Sequence, residues 1–120
     1  MIYSTVVLEN DGPIFRIVLN VPERLNALSD QVLEDLGAAL DECASSPEIR
    51  VLVLTGAGRG FCAGADLKAR ESAGAPDQID TLRRQISNQF NPLIKKLLAL
   101  PVPTIAAVNG VAAGGGFGLA

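Results

Sequence analysis

Val51-Leu52-Val53-Leu54-Thr55-Gly56-Ala57-Gly58-Arg59-Gly60-Phe61-Cys62-Ala63-Gly64-Ala65-Asp66-Leu67 is the stretch on which the fold turns. Residues 51–54 are consecutively apolar, which suits a short strand buried on both faces. They run straight into a loop, 55–64, that holds Gly56, Gly58, Gly60 and Gly64. In open parallel sheets, ligands sit beyond the carboxyl ends of the strands. Small residues there let a ligand come close to the backbone. The same arrangement recurs downstream. Thr104-Ile105-Ala106-Ala107-Val108 reads as a further buried strand, Asn109-Gly110 as a turn, and Ala113-Gly114-Gly115-Gly116 as the opening of a helix.

The flanking segments complete an α/β pattern. Tyr3 to Glu9 is rich in β-formers, Asn10-Asp11-Gly12-Pro13 is a turn, and Ile14 to Leu19 is a second strand, so a hairpin is expected, ended by Pro22. Ser29 is placed to cap a helix, with Asp30 at its positive end. Leu33, Leu36, Leu40 and Cys43 follow at spacings of three and four and form one apolar stripe. Ser45-Ser46-Pro47 stops it. Ala73-Gly74-Ala75-Pro76 marks another break. Beyond it Ile79, Leu82, Ile86, Phe90, Leu93, Leu97 and Leu100 trace a long helix. Pro92 predicts a kink or break inside it, and Leu100-Pro101-Val102-Pro103 ends it. The order β-β-α-β-α-β-(α) predicts an α/β domain with helical crossovers.

Composition narrows the chemistry. A chain of 120 residues is long enough for one domain with a core. Its 48% hydrophobic and 19% charged residues are those of a globular protein rather than a disordered one. A net charge of −3 opposes nucleic-acid binding, so Arg83, Arg84, Lys95 and Lys96 read as a solvated helix face. Two cysteines make no disulfide framework. The absence of histidine removes Ser-His-Asp and Cys-His catalysis and most zinc sites from these residues. Acid–base work falls to Asp, Glu, Lys, Tyr or Cys. The first ten residues show no signal peptide, and no apolar run approaches 18 residues. The expectation is a cytoplasmic protein with no metal and no membrane partner.

Two loops that each follow a strand can offer two convergent backbone N–H groups. Such a pair would stabilise charge building on a carbonyl oxygen. The alternative is that the glycines only permit tight turns and close helix–sheet packing. Gly58-x-Gly60-x-x-Ala63 also fits a loose dinucleotide-binding pattern, but no strand ending in an acidic residue follows about 20 residues later. A serine peptidase would need a G-x-S-x-G elbow, which is absent.

Phe61-Cys62-Ala63-Gly64-Ala65-Asp66-Leu67 resembles the first signature of the crotonase (enoyl-CoA hydratase/isomerase) family. Ala107 to Gly116 resembles the second, and Val21-Pro22-Glu23-Arg24-Leu25-Asn26-Ala27-Leu28 resembles the segment after the family's second strand. The three occur in family order. The resemblance implies a spiral of β-β-α units and an acyl-CoA thioester substrate, with coenzyme A part of the substrate and no separate cofactor. It also implies a homotrimer or a dimer of trimers. The N–H groups of Ala65 and Gly115 would form the oxyanion hole. Ala63, Asp66, Leu67 and Lys68 would line the path of the CoA, with Gly114 beside the hole and Arg24 and Leu25 at the nucleotide end. Arg24 and Lys68 also admit a reading as solvated charges. Family chains are considerably longer, so 1–120 is read as a single crotonase-like domain truncated on its C-terminal side.

One position departs from the hydratase pattern. The glutamate that hydratases carry two residues after the third glycine is here Gly118. Glycine transfers no proton, so isomerase, lyase or hydrolase chemistry becomes as open as hydration, and non-catalytic acyl-CoA binding is the alternative. Asp66 is better placed to cap a helix than to act as a base. Cys62, with no histidine to activate it, reads as a packing residue, as does Cys43.

Overall fold

The computed structural model describes residues 2–66 and 78–120. β1 (Val6–Asp11) and β2 (Ile14–Leu19) pair antiparallel, from Val6 opposite Leu19 to Asp11 opposite Ile14. The hairpin is closed by Gly12 and Pro13, with Gly12 at φ 59°, a value that suits the first position of a tight hairpin turn. The ladder therefore starts later than the β-rich run at Tyr3 and takes in Asn10 and Asp11, which pattern alone assigns to the turn. Phe15, Ile17 and Leu19 alternate into the core.

A single 3₁₀ turn, Pro22–Arg24, leads to Leu25 and Asn26, both at positive φ. α1 (Asp30–Ala44) begins as expected: the Val32 N–H donates to the Ser29 hydroxyl at 3.2 Å. Its stripe of Leu33, Leu36, Leu40 and Cys43 is buried together with Val32 and Ala39. β3 (Val51–Gly56) lies parallel to β2, from Ile14 opposite Val51 to Leu19 opposite Gly56. Only Leu52 and Leu54 are buried, while Val51 and Val53 are partly exposed. The strand is thus covered on one face, not both. A run of four apolar residues does not say which of its two faces a helix will cover.

Two further expectations change. The loop after β3 contains a short strand, β4 (Gly60–Cys62), too brief and glycine-rich to show a period. The strand at 104–108 shortens to β5 (Thr104–Ala106), whose Thr104 and Ile105 are exposed. β5 is the last strand in the order β1-β2-β3-β5, so it pairs on one side only, and an edge strand buries less. β4 pairs in parallel with β6 (Val111–Ala112) in a separate sheet, and α4 (Gly115–Leu119) follows.

The long helix is continuous rather than broken. α2 (Gln78–Gln85) passes through a single wide π turn, Ile86–Phe90, into α3 (Asn91–Leu98). The Asn91 N–H donates to the Ile86 carbonyl, the i to i−5 bond of such a turn. Pro92 follows directly, in the first turn of α3, so the wide turn lies where its ring and missing N–H interrupt the α-helical ladder. Of the apolar stripe only Leu93 is buried. Phe90, Ile94 and Leu97 lie at the core's margin, and Ile79 is exposed.

A repeating unit emerges. β3, β4 and the long helix form one turn, and β5, β6 and α4 form the next, each sending its first strand to the large sheet and its second to the small one. In the turn before these, from β2 to α1, Leu28 takes the place of the second strand through a parallel bridge to Ala65. The expected spiral of β-β-α units is what the chain forms.

Candidate functional site

The small sheet places the two residues singled out as backbone donors. The Leu28 N–H donates to the Gly64 carbonyl at 2.6 Å, and the Asp66 N–H donates to the Leu28 carbonyl at 3.4 Å. These bonds use the groups on either side of Ala65. Backbone groups alternate along a strand, so the N–H of Ala65 itself faces the opposite way. On that side lies the second glycine loop. A Cβ on Gly64, which sits at φ 96°, would come within 2.8 Å of the Ala113 carbonyl oxygen. Gly115 is the first residue of α4, where an N–H has no acceptor within the helix. Among the described residues neither the Ala65 nor the Gly115 N–H has a hydrogen-bond partner.

Both residues line one cleft of about 290 Å³, with Leu28, Leu33, Leu82, Gln85, Ile86, Phe90 and Asn91. Its walls come from the segment before α1, from the long helix and from the start of α4. The lining is mostly apolar, and the Gln85 amide that reaches it is turned to the Asp30 carboxylate at 2.9 Å.

Two asparagines hold the first glycine loop, Asn26 from the segment that resembles the family's and Asn109 from the turn after β5. Asn26 is fully buried. Its Oδ1 accepts from the Val21 N–H at 2.8 Å, and its Nδ2 donates to the carbonyls of Ala57 at 3.1 Å and Gly60 at 2.9 Å. From the other loop, Asn109 accepts from the Gly56 N–H at 3.1 Å and donates to the carbonyls of Gly58 at 3.1 Å and Gly60 at 3.2 Å. The Gly60 carbonyl thus receives a bond from each side. The bonds from the buried Asn26 amide, joined by those of the exposed Asn109, keep the loop in one conformation. Gly116 sets the seat of α4: a Cβ there would run into the Cys62 carbonyl.

The other expected site residues surround the loop rather than line the cleft. Arg24 donates to the Asp66 carboxylate at 2.7 Å; Arg24 is 44% exposed and Asp66 only 7%. It is therefore anchored rather than a freely solvated charge. The Leu25 carbonyl accepts from the Ala63 N–H at 3.0 Å, and its side chain packs on Gly60. Gly114 stands at φ 54° before α4, and its carbonyl accepts from the Gly118 N–H at 3.2 Å. Leu67 and Lys68 lie outside the described residues, as does the start of any helix that Asp66 would cap. Leu28, Phe90, Asn26 and Asn109 were not foreseen as site or loop-holding residues.

The cysteines fit a packing role. Burial pushes the Cys62 thiol up, against a weaker pull down from the Gly64 N–H, and burial also raises Cys43. Neither is poised as a thiolate nucleophile. Among the described residues no group of three His, Cys, Asp or Glu could hold a metal ion. No described helix is long and apolar enough to cross a membrane.

Comparison with known proteins settles the family. The sequence profile of the enoyl-CoA hydratase/isomerase family matches residues 9–120. The chain belongs to that family. It is 46% identical over 110 residues to a 1,2-epoxyphenylacetyl-CoA isomerase of Escherichia coli, covering 89% of this chain and 40% of that protein. Among solved structures it resembles an enoyl-CoA hydratase from Bacillus anthracis, with TM-score 0.85 and 36% identity, over 94% of this chain and 43% of that one. An enoyl-CoA hydratase/isomerase from Xanthobacter autotrophicus Py2 gives TM-score 0.86 and 34% identity, over 96% and 42%. The fold is that of the crotonases, and the chain spans less than half the length of these relatives.

Proposed function

We propose that this chain carries the thioester-binding half of an acyl-CoA-processing active site. The N–H groups of Ala65 and Gly115 receive the thioester oxygen and stabilise the enolate formed when a proton leaves the neighbouring carbon. The observation that supports this reading is a pair of N–H groups without a partner among the described residues, from two different glycine loops, at one mostly apolar cleft. A preorganised donor in a water-poor site needs no rearrangement as charge develops, which is why such donors act mainly on the transition state. CoA would run past Ala63, Asp66 and Gly114 toward Arg24 and Leu25, with Leu67 and Lys68 on the same path.

Gly118 offers no carboxylate, so the proton is handled by a group outside the two loops. This favours double-bond or ring isomerisation, lyase or hydrolase chemistry at least as much as hydration. The isomerase relative adds weight to the isomerase reading. The same glycine supports a second reading, acyl-CoA binding without turnover. The family resemblance extends to assembly as a homotrimer or dimer of trimers, which light scattering would test.

Gly115→Pro and Ala65→Pro each delete one donor. Proline is tolerated at the first helical position, and the Ala65 N–H takes no part in the bridge to Leu28; a Cβ at 115 would press on Leu28 Cδ1 at 2.9 Å and Phe90 Cε1 at 3.1 Å, so native circular dichroism is the control for both variants. Each is expected to lower turnover about 100-fold and to change acyl-CoA affinity far less. Equal, modest losses in both quantities would remove the oxyanion assignment. Binding of acyl-CoA with no turnover on a broad panel would establish the second reading.

A further inference from the structure

We propose that Phe90 sets the size of acyl group the cleft accepts, restricting it to compact chains or single rings; this rests on the acyl-CoA reading above. The π turn Ile86–Phe90 presents Phe90 to the first turn of α4. The place where a Cβ of Gly115 would stand is 3.1 Å from Phe90 Cε1 and 3.5 Å from Cζ. The corresponding place on Gly118 is 3.6 Å from Cζ. Together with Leu28 Cδ1, which is 2.9 Å from the same place, the ring fills the space a side chain at 115 would occupy, and it stands at van der Waals distance from the corresponding place at 118. It stands beside the position where a hydratase carries its glutamate.

Two consequences follow. The cleft, at about 290 Å³, is at the small end for a site that encloses an organic ligand. Among the described residues Phe90 is the largest side chain in its wall, and it lies partly buried at the core's margin. Leu28, Leu33, Leu82 and Ile86 make up most of the wall beside it, with Gln85 and Asn91 its polar members, so the acyl group it suits is mainly apolar. The Gln85 Nε2 donates to Asp30 and, at 3.5 Å, to the Leu28 carbonyl, so that nitrogen is already engaged within the protein.

The test uses binding, so that it does not depend on which reaction is catalysed. Affinities of butanoyl-, phenylacetyl-, octanoyl- and dodecanoyl-CoA are measured by calorimetry for the wild-type protein, Phe90→Ala and Phe90→Trp. The wild type should prefer the first two. Phe90→Ala should raise dodecanoyl-CoA relative to butanoyl-CoA by about tenfold, and Phe90→Trp should shift the ratio the other way by a similar factor. A purely structural role for Phe90 would weaken all four ligands together and would not give opposite shifts. Parallel profiles in all three proteins would overturn the assignment of Phe90 while leaving the acyl-CoA reading intact. Failure of the wild type to bind any of the four would overturn that reading, and this inference with it.

Discussion

The large sheet and the small sheet are built by different means. β1, β2 and β3 have six residues each, and their buried members Val6, Phe15, Ile17, Leu19, Leu52 and Leu54 pack with the buried stripe of α1. β4 and β6 have three and two residues, and two of those five are glycine and cysteine. The small sheet is held by backbone bonds and by the amides of Asn26 and Asn109, with one large side chain, Phe61, sent into the core. Stability is concentrated where side chains are large. Backbone positioning is concentrated where they are small, because only there can a ligand oxygen reach an N–H.

The sharpest way to break this comparison is a pair of substitutions, one on each side. Ile17→Ala removes a fully buried side chain from the large sheet and should cost about 4 kcal/mol in chemical denaturation. Acyl-CoA affinity per folded molecule should stay as in the wild type. Gly116→Ala pushes a Cβ into the Cys62 carbonyl and should cost somewhat less, about 3 kcal/mol. Because α4 must shift, it should also lower turnover at least about tenfold. If Ile17→Ala damaged the site more than Gly116→Ala, the division of labour would fail.

Asn26→Ala tests the amide clamp. It strips the Val21 N–H and the Ala57 carbonyl of a buried partner and leaves Gly60 with Asn109 alone. The expected loss is about 2 kcal/mol, with faster hydrogen exchange in residues 56–60. Unchanged exchange there would mean that the loop holds itself.

The smallest effect belongs to Asp35, which ties the start of the chain to α1. Burial raises its pKa. The Thr5 hydroxyl at 2.6 Å, the Gln31 amide at 2.8 Å, the Thr5 N–H at 3.0 Å and the Ser4 hydroxyl outweigh burial and hold it below the ordinary aspartate range. A carboxylate lowered in this way contributes stability above its unfolded pKa of about 3.9 and loses it as pH falls through the folded value. Asp35→Asn should therefore be less stable than wild type at neutral pH, with the gap closing on acidification below about pH 4. A gap independent of pH would show that the charge is not what these donors recognise.

Local signals were readable where they were strong. Ser29 and the Leu33-Leu36-Leu40-Cys43 spacing located α1, and Gly12 closed the hairpin. What escaped the sequence depends on neighbours. The half-exposed Val51 and Val53 look the same in a strand covered on one face or on both. β4 is too short to carry a period. Pro92 warned of a break, but the accommodation is a wide turn just before it, which depends on the whole helix. Ala65 and Gly115 were chosen by resemblance to family signatures, and their meeting at one cleft needs the Leu28 bridge. Phe90 read as one more stripe residue because nothing local says that its ring lies against two glycines.

The most direct measurement is the vibrational frequency of the thioester carbonyl in bound acyl-CoA, by Raman difference spectroscopy. Two N–H groups aimed at one oxygen should polarise the C=O bond and lower its frequency relative to free ligand. The shift should shrink in Gly115→Pro and in Ala65→Pro while binding persists. A bound carbonyl at the free-ligand frequency, or a shift indifferent to both substitutions, would contradict the account.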